Sequence, residues 1–114
     1  MNPITTHVLD TARGCPARGV PVLLEQFSPP ARWKRLAKGM TNGDGRVPDL
    51  LPSSFKLQKG IYRLTFQTAA YFRSCGTRGF YPWATVAFSV HEPRQHFHVP
   101  LLLSPFGYST YRGS

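Results

Sequence analysis

The stretch HFHVPLLLS, residues 96–104, alternates apolar and polar side chains with a period of two. Successive residues of a strand point to opposite faces of a sheet. The apolar face carries Phe97, Val99, Leu101 and Leu103. His96 and His98 must share the other face. The pattern predicts a half-buried β-strand with two imidazoles on one side.

Short segments with the same period recur along the chain, and turn residues separate them. Such spacing predicts an all-β fold, an antiparallel β-sandwich of about eight strands in two sheets. The further predicted strands are 4–10, 20–26, 33–41, 60–67, 84–90 and 108–113. Residues 68–76 are predicted to form one short helix. With no repeat or linker in the sequence, we expect residues 1–114 to be a single domain.

Composition limits the function. Lys and Arg outnumber Asp and Glu by 14 to 5, which makes nucleic acid or another polyanion a minor hypothesis. The basic residues are mostly dispersed, and a basic run on a strand is more typical of a solvated edge that resists aggregation. The densest basic cluster is Arg32, Lys34, Arg35 and Lys38.

The sequence has no stretch near the ~20 apolar residues of a membrane span. MNPITTHVLD has no secretory signal pattern, and the last residues are not a Ser-Lys-Leu address. We therefore expect the mature chain to begin near Met1 and to be cytoplasmic, with the peroxisome as an alternative in a eukaryote. Cys15 and Cys75 are far apart and lack metal or redox spacing, which predicts free thiols.

Three histidines suggest chemistry. His96 and His98 on one strand face, with His7 as a third donor, could bind zinc and leave one position for water. The same imidazoles could instead perform acid–base catalysis without a metal, since they titrate near neutral pH. Two ordinary surface histidines are the plain alternative.

Arginine could complete either site. Arg46 follows TNGDG, residues 41–45, whose residue types favour a tight turn that would fix its backbone. A guanidinium can polarise a carbonyl or hold an anion. The sequence ends in YRGS, residues 111–114, and such a terminal segment suggests an end that is docked and used.

The sequence resembles the 5-hydroxyisourate hydrolases, the transthyretin-related proteins of urate catabolism. The similar stretches are THVLDTARGCPARGVPV, TNGDGR, GIYRLTF and HFHVPLLLSPFGYSTYRGS. Transthyretin itself shares the fold and the LLSP-YS stretch but lacks the YRGS end and this set of His and Arg residues. The resemblance therefore implies a transthyretin-like sandwich and an enzyme, with a hormone carrier as the runner-up.

The resemblance also implies the site and its assembly. The implied catalytic residues are His7, Arg46, His98 and Ser114. The implied substrate-binding residues are His7, Arg46, Tyr111, Arg112, Gly113 and Ser114. Members of the family are homotetramers with active sites at the dimer–dimer interface. No metal, cofactor, nucleic acid or membrane partner is expected, and His91 and His96 have no matched role. Trp83 and the basic stretch 32–38 depart from the family pattern.

The implied reaction opens a ring of 5-hydroxyisourate at a cyclic amide C–N bond, giving 2-oxo-4-hydroxy-4-carboxy-5-ureidoimidazoline. We expect His98, with His7 near the same pocket, to activate water and to protonate the leaving nitrogen. Which of the two is the base stays open. Arg46 would stabilise the oxyanion, and Tyr111 and Ser114 would line the pocket.

Overall fold

The computed structural model describes residues 2–114, which form two four-stranded sheets and one short helix. In chain order the elements are β1 (Ile4–Asp10), β2 (Cys15–Pro16), β3 (Pro21–Ser28), β4 (Arg32–Met40), β5 (Gly60–Phe66), α1 (Thr68–Ser74), β6 (Ala84–Val90), β7 (Phe97–Ser104) and β8 (Gly107–Thr110). The predicted β-sandwich with one short helix is confirmed. None of the described helices is long and apolar enough to cross a membrane.

One sheet has the strand order β2-β1-β7-β8 and the other β4-β3-β5-β6. Neighbouring strands are antiparallel except for β1 and β7, which run parallel with Thr5 opposite His98. Parallel strands require a long crossover connection. Here the whole second sheet lies between β1 and β7 in the sequence, so local periodicity carried no sign of this pairing.

The core lies between the two sheets. The predicted apolar face of β7 is confirmed, because Leu101 and Leu103 are buried completely or nearly so. Burying a side chain of this size contributes about 1.5–3 kcal/mol. Helix α1 is tied to this core by the Tyr71 hydroxyl, which donates a buried 2.7 Å hydrogen bond to Asp10 Oδ2. Burial and this carboxylate raise the pKa of Tyr71, so the phenol keeps its proton.

The predicted segments match the observed strands to within two residues, except that the short strand β2 was predicted as part of a turn and that the last strand differs. Strand β8 ends at Thr110, whereas 108–113 was predicted. Beyond the strand, Gly113 turns back and forms an isolated bridge with His98. The basic cluster of β4 lies on an edge strand and is largely exposed, as expected for a solvated edge. Cys15 and Cys75 are free thiols, as predicted.

The predicted turn at 41–46 fixes the backbone of Arg46. Asn42 Oδ1 accepts hydrogen bonds from the N–H groups of Asp44 (2.9 Å) and Arg46 (3.1 Å). Gly45 has φ of 76°, and its carbonyl accepts a 2.8 Å bond from the Val8 N–H. Such a conformation favours glycine because it has no Cβ. The turn is thereby docked on β1, next to His7.

Substitution of Gly45 tests this docking. A Cβ at this position would overlap the Val8 carbonyl oxygen and lie 3.3 Å from His7 Cδ2, in a backbone conformation that alanine rarely adopts. We expect Gly45→Ala to lower the free energy of unfolding by about 1–3 kcal/mol, measured by urea denaturation. Gly43→Ala is the matched control, because a Cβ there meets no atom within 4 Å. Equal stability of both variants would contradict the docking.

Candidate active site

A cavity of about 460 Å³ opens at one end of the β1–β7 pair. Its wall includes Thr5, Arg46, His96, His98 and Ser114. The residues come from three parts of the chain: the parallel strand pair, the 41–46 turn and the C-terminal segment. The structure thus brings three of the predicted catalytic residues to one cavity.

Both imidazoles of the His-x-His pattern face Thr5. His98 Nδ1 lies 2.8 Å and His96 Nε2 3.1 Å from the Thr5 hydroxyl oxygen. The two rings are nearly parallel, with centroids 6.4 Å apart. His96 Nδ1 donates a 2.7 Å hydrogen bond to the Asn2 carbonyl. The prediction that the two histidines share one strand face is therefore confirmed.

His98 lies in an environment that favours its neutral form. Burial lowers the pKa of His98, and electrostatic repulsion from Arg46 and from the nearby imidazoles of His96 and His7 lowers it further. Removing an imidazolium from water disfavours the charged form, and nearby cations act in the same direction. The imidazole is therefore neutral at physiological pH and can accept a proton.

Within residues 2–114, Arg46 forms no salt bridge with a carboxylate. Within residues 2–114 the one salt bridge joins Arg63 to Glu25, with a 2.8 Å separation between Nε and Oε1. The Arg46 guanidinium is thus available to an oxygen of a bound molecule. The Arg46 side chain is exposed on the single chain. Such a charge interacts strongly with developing negative charge when a bound molecule excludes water from it.

His7 lies beside the cavity and is not one of its wall residues. Its backbone forms an isolated antiparallel bridge with Arg46, and it sits opposite Pro100 of β7. It is close enough to His98 to contribute to the lowering of the pKa of His98. The sequence prediction that groups His7 with Arg46 and His98 is consistent with this position.

The C-terminal residues 111–114 contribute to two different cavities. Ser114 forms part of the cavity wall, and the Gly113 N–H donates a 2.8 Å bond to the His98 carbonyl. A Cβ on Gly113 would lie 2.5 Å from His98 Cδ2, so this close approach requires glycine. Gly113 therefore acts through backbone packing against His98.

Tyr111 and Arg112, predicted to bind substrate, line a different cavity of about 330 Å³. Arg112 donates a 3.0 Å bond to Gln95 Oε1, and its guanidinium lies 4.6 Å from the centroid of the Phe97 ring. Within one chain the structure does not place these two side chains with Arg46 and His98. Their role in substrate binding stays a prediction.

Sequence reasoning missed Thr5, Asn2 and the contact of His96 with the cavity. One signal was present, because Thr5 and His7 are two residues apart and share a face of β1. The missing information was the parallel pairing that sets Thr5 opposite His98. As for a zinc site, no group of three His, Cys, Asp or Glu side chains within residues 2–114 is placed to hold a metal ion.

Known proteins are similar to this chain over almost its full length. The HIUase/Transthyretin family matches residues 4–113. A 5-hydroxyisourate hydrolase of Mus musculus is 47% identical and aligns with 99% of this chain and 96% of its own length. A 5-hydroxyisourate hydrolase of Salmonella typhimurium is 44% identical, and the alignment covers 99% of this chain and 82% of that protein.

Solved structures agree with the sequence comparison. Sea bream transthyretin in complex with thyroxine superimposes with a TM-score of 0.91 at 33% identity, covering 98% of this chain and 95% of that one. The 5-hydroxyisourate hydrolase of Klebsiella pneumoniae gives a TM-score of 0.84 at 37% identity, covering 99% of this chain and 100% of that one. The chain belongs to the HIUase/Transthyretin family.

Proposed function

We propose that this chain hydrolyses 5-hydroxyisourate in urate catabolism. The observation that carries the proposal is the convergence of two residues on one cavity: a neutral His98, and an Arg46 that forms no salt bridge within residues 2–114. A base beside a free cation suits the attack of water on a carbonyl group. Relatives that bear the name 5-hydroxyisourate hydrolase support the same substrate.

In the proposed first step, water attacks a ring carbonyl carbon of the substrate while His98 accepts one proton of the water. The carbonyl oxygen becomes an oxyanion in the tetrahedral intermediate. In the second step the C–N bond breaks, and the proton held by His98 moves to the leaving nitrogen. The products are a carboxylic acid, which ionises, and a ring-opened N–H group. No redox partner or cofactor is required for this balance.

Arg46 is proposed to stabilise the oxyanion. Its backbone is held by the Asn42 turn, which fixes the point from which the Arg46 side chain extends. His7, next to Arg46 in the backbone bridge, is proposed to orient the substrate or to assist proton transfer. Ser114, on the same wall, is proposed to contact the substrate. This assignment makes His98 the base and gives His7 the supporting role.

A carrier of small aromatic molecules is the second candidate. The observation in its favour is the apolar cavity beside Phe88, Phe97 and Tyr111, together with the likeness to a transthyretin solved with thyroxine. A carrier does not need a neutral imidazole and an unpaired guanidinium in one cavity. We therefore favour the hydrolase. A carrier would instead show saturable binding of a small aromatic molecule and no turnover of 5-hydroxyisourate.

We further propose a homotetramer in which a second copy closes each active site. Large apolar side chains are exposed on the single chain, including Phe80 (68%) and Phe106 (74%). Strands β6 and β8 are unpaired sheet edges within residues 2–114. Exposed apolar side chains and free edges are typical of surfaces that another chain covers. In the tetramer, Tyr111 and Arg112 could reach the site of a neighbouring copy.

The hydrolase proposal is tested with 5-hydroxyisourate generated from urate by urate oxidase and followed by its ultraviolet decay. We expect the protein to accelerate the decay, and Arg46→Ala and His98→Ala each to lower kcat/KM by about 10²–10⁴. Arg32→Ala and His91→Ala are the matched controls, since both residues are exposed and lie outside the cavity.

Chelator treatment belongs to the same assay and should leave the rate unchanged. If the chelator abolished activity and added zinc restored it, the mechanism would be zinc-dependent. No acceleration by the intact protein over spontaneous decay would refute the hydrolase and favour the carrier.

The pH dependence of kcat/KM tests the electrostatic role of Arg46. Because burial and Arg46 lower the pKa of His98, the acidic limb of the wild-type profile should lie below the ordinary value of about 6.5. Removing the cation in Arg46→Gln should raise the pKa of His98 and move this limb to higher pH. Arg32→Gln should leave it unchanged. A limb that stays or moves to lower pH in Arg46→Gln would contradict the assignment.

Sedimentation equilibrium tests the assembly. The active protein should sediment at about four times the 12.8 kDa mass of the chain. Phe106→Ser replaces an exposed aromatic side chain with a polar one and should weaken the assembly. Activity should then fall at low protein concentration, because the second copy that closes the site would dissociate. Full activity in a preparation that contains monomer alone would refute the shared site.

A further inference from the structure

The Thr5 hydroxyl lies between two imidazoles of the cavity wall. It is within hydrogen-bond distance of His98 Nδ1 at 2.8 Å and His96 Nε2 at 3.1 Å. The two remaining ring nitrogens differ. His96 Nδ1 is 2.7 Å from the Asn2 carbonyl oxygen, whereas His98 Nε2 has no hydrogen-bond partner in residues 2–114. The four residues therefore form a chain of hydrogen bonds with one open end.

The Asn2 carbonyl sets the direction of this chain. A carbonyl oxygen can only accept, so His96 Nδ1 must carry a hydrogen. A neutral imidazole has a single N–H, and His96 Nε2 is then an acceptor. The Thr5 hydroxyl donates its one hydrogen to that nitrogen. Its oxygen is left to accept, and the donor must be an Nδ1–H of His98.

The open end of the hydrogen-bond chain is accessible to solvent. Within residues 2–114, every fully buried side-chain nitrogen or oxygen has a hydrogen-bond partner. His98 Nε2 has none, so this atom is reached by solvent, and His98 is one of the residues that line the cavity. With the hydrogen of the ring on Nδ1, Nε2 carries a lone pair that can accept a proton.

We propose that Thr5 and His96 are positioning residues that hold His98 in the Nδ1–H tautomer, with the lone pair of Nε2 facing the cavity. The use of that lone pair as the base rests on the proposed hydrolase function, whereas the tautomer itself does not. In water the two tautomers of an imidazole interconvert, so a fixed hydroxyl is needed to select one. The parallel register that places Thr5 opposite His98 supplies this hydroxyl.

Nuclear magnetic resonance of protein with 15N-labelled histidine tests the tautomer without substrate. At about pH 8.5, two units above the ordinary pKa of an imidazole, long-range 1H–15N correlations distinguish protonated from unprotonated ring nitrogens. We expect a protonated Nδ1 and an unprotonated Nε2 for both His96 and His98. A His98 protonated at Nε2 would mean that the chain runs in the opposite direction, and would overturn the proposal.

Variants test whether the hydroxyl causes the preference. Thr5→Val keeps the branched shape without the hydroxyl and should give a mixture of His98 tautomers, with kcat reduced about tenfold and KM little changed. Thr5→Ser keeps a hydroxyl and should restore both. Thr65→Val is the matched control. Thr65 lies in the other sheet, where its hydroxyl bonds that of the neighbouring Thr85, and its substitution should change neither the His98 tautomer nor kcat.

A second variant covers the case in which Thr5→Val does not fold. His96→Phe keeps a ring but removes the acceptor of the Thr5 hydrogen, so the Thr5 hydroxyl can turn and the His98 tautomers should again mix. Unchanged His98 tautomers in folded Thr5→Val or His96→Phe would overturn the proposal. If the protein fails to hydrolyse 5-hydroxyisourate but shows the expected tautomers and variant shifts, the proposed function falls and the positioning role stands.

Discussion

The parallel pairing of β1 with β7 is the constraint on which the site depends. It joins the first strand to the penultimate one and sets Thr5 opposite His98. The apolar faces of both strands are buried in the core, so a shift of one residue would turn buried side chains outward. The free energy of core packing therefore fixes the distance between Thr5 and the two imidazoles. Precision at the cavity is a consequence of burial elsewhere in the sandwich.

Electrostatics supports the proposal that these residues form a reactive set. Arg46 brings a positive charge without a carboxylate partner, and this charge, with burial, keeps His98 neutral. A charge on a flexible side chain would be of little use without a fixed origin. The Asn42 turn and its bond to β1 provide that origin, since the backbone on both sides of Arg46 is hydrogen-bonded.

The two ends of the described chain meet at the same place. The Asn2 carbonyl holds His96, and the Gly113 N–H holds the backbone of His98. Gly113 also packs so closely on the His98 ring that a side chain would not fit. A site built from the start of β7, from β1 and from both ends of the described chain brings together residues that are distant in sequence.

Much of the fold could be read from the sequence because burial imposes a period of two on each strand. The alternation at 96–104 predicted the buried face of β7 and the shared face of His96 and His98, and TNGDGR predicted the turn before Arg46. The resemblance brought His7, Arg46, His98 and Ser114 together as expectations. Local pattern could not supply the parallel register, the contact of Thr5 with both imidazoles, or the separate position of Tyr111 and Arg112. Those depend on which strands become neighbours, and the packing of the whole sandwich decides that.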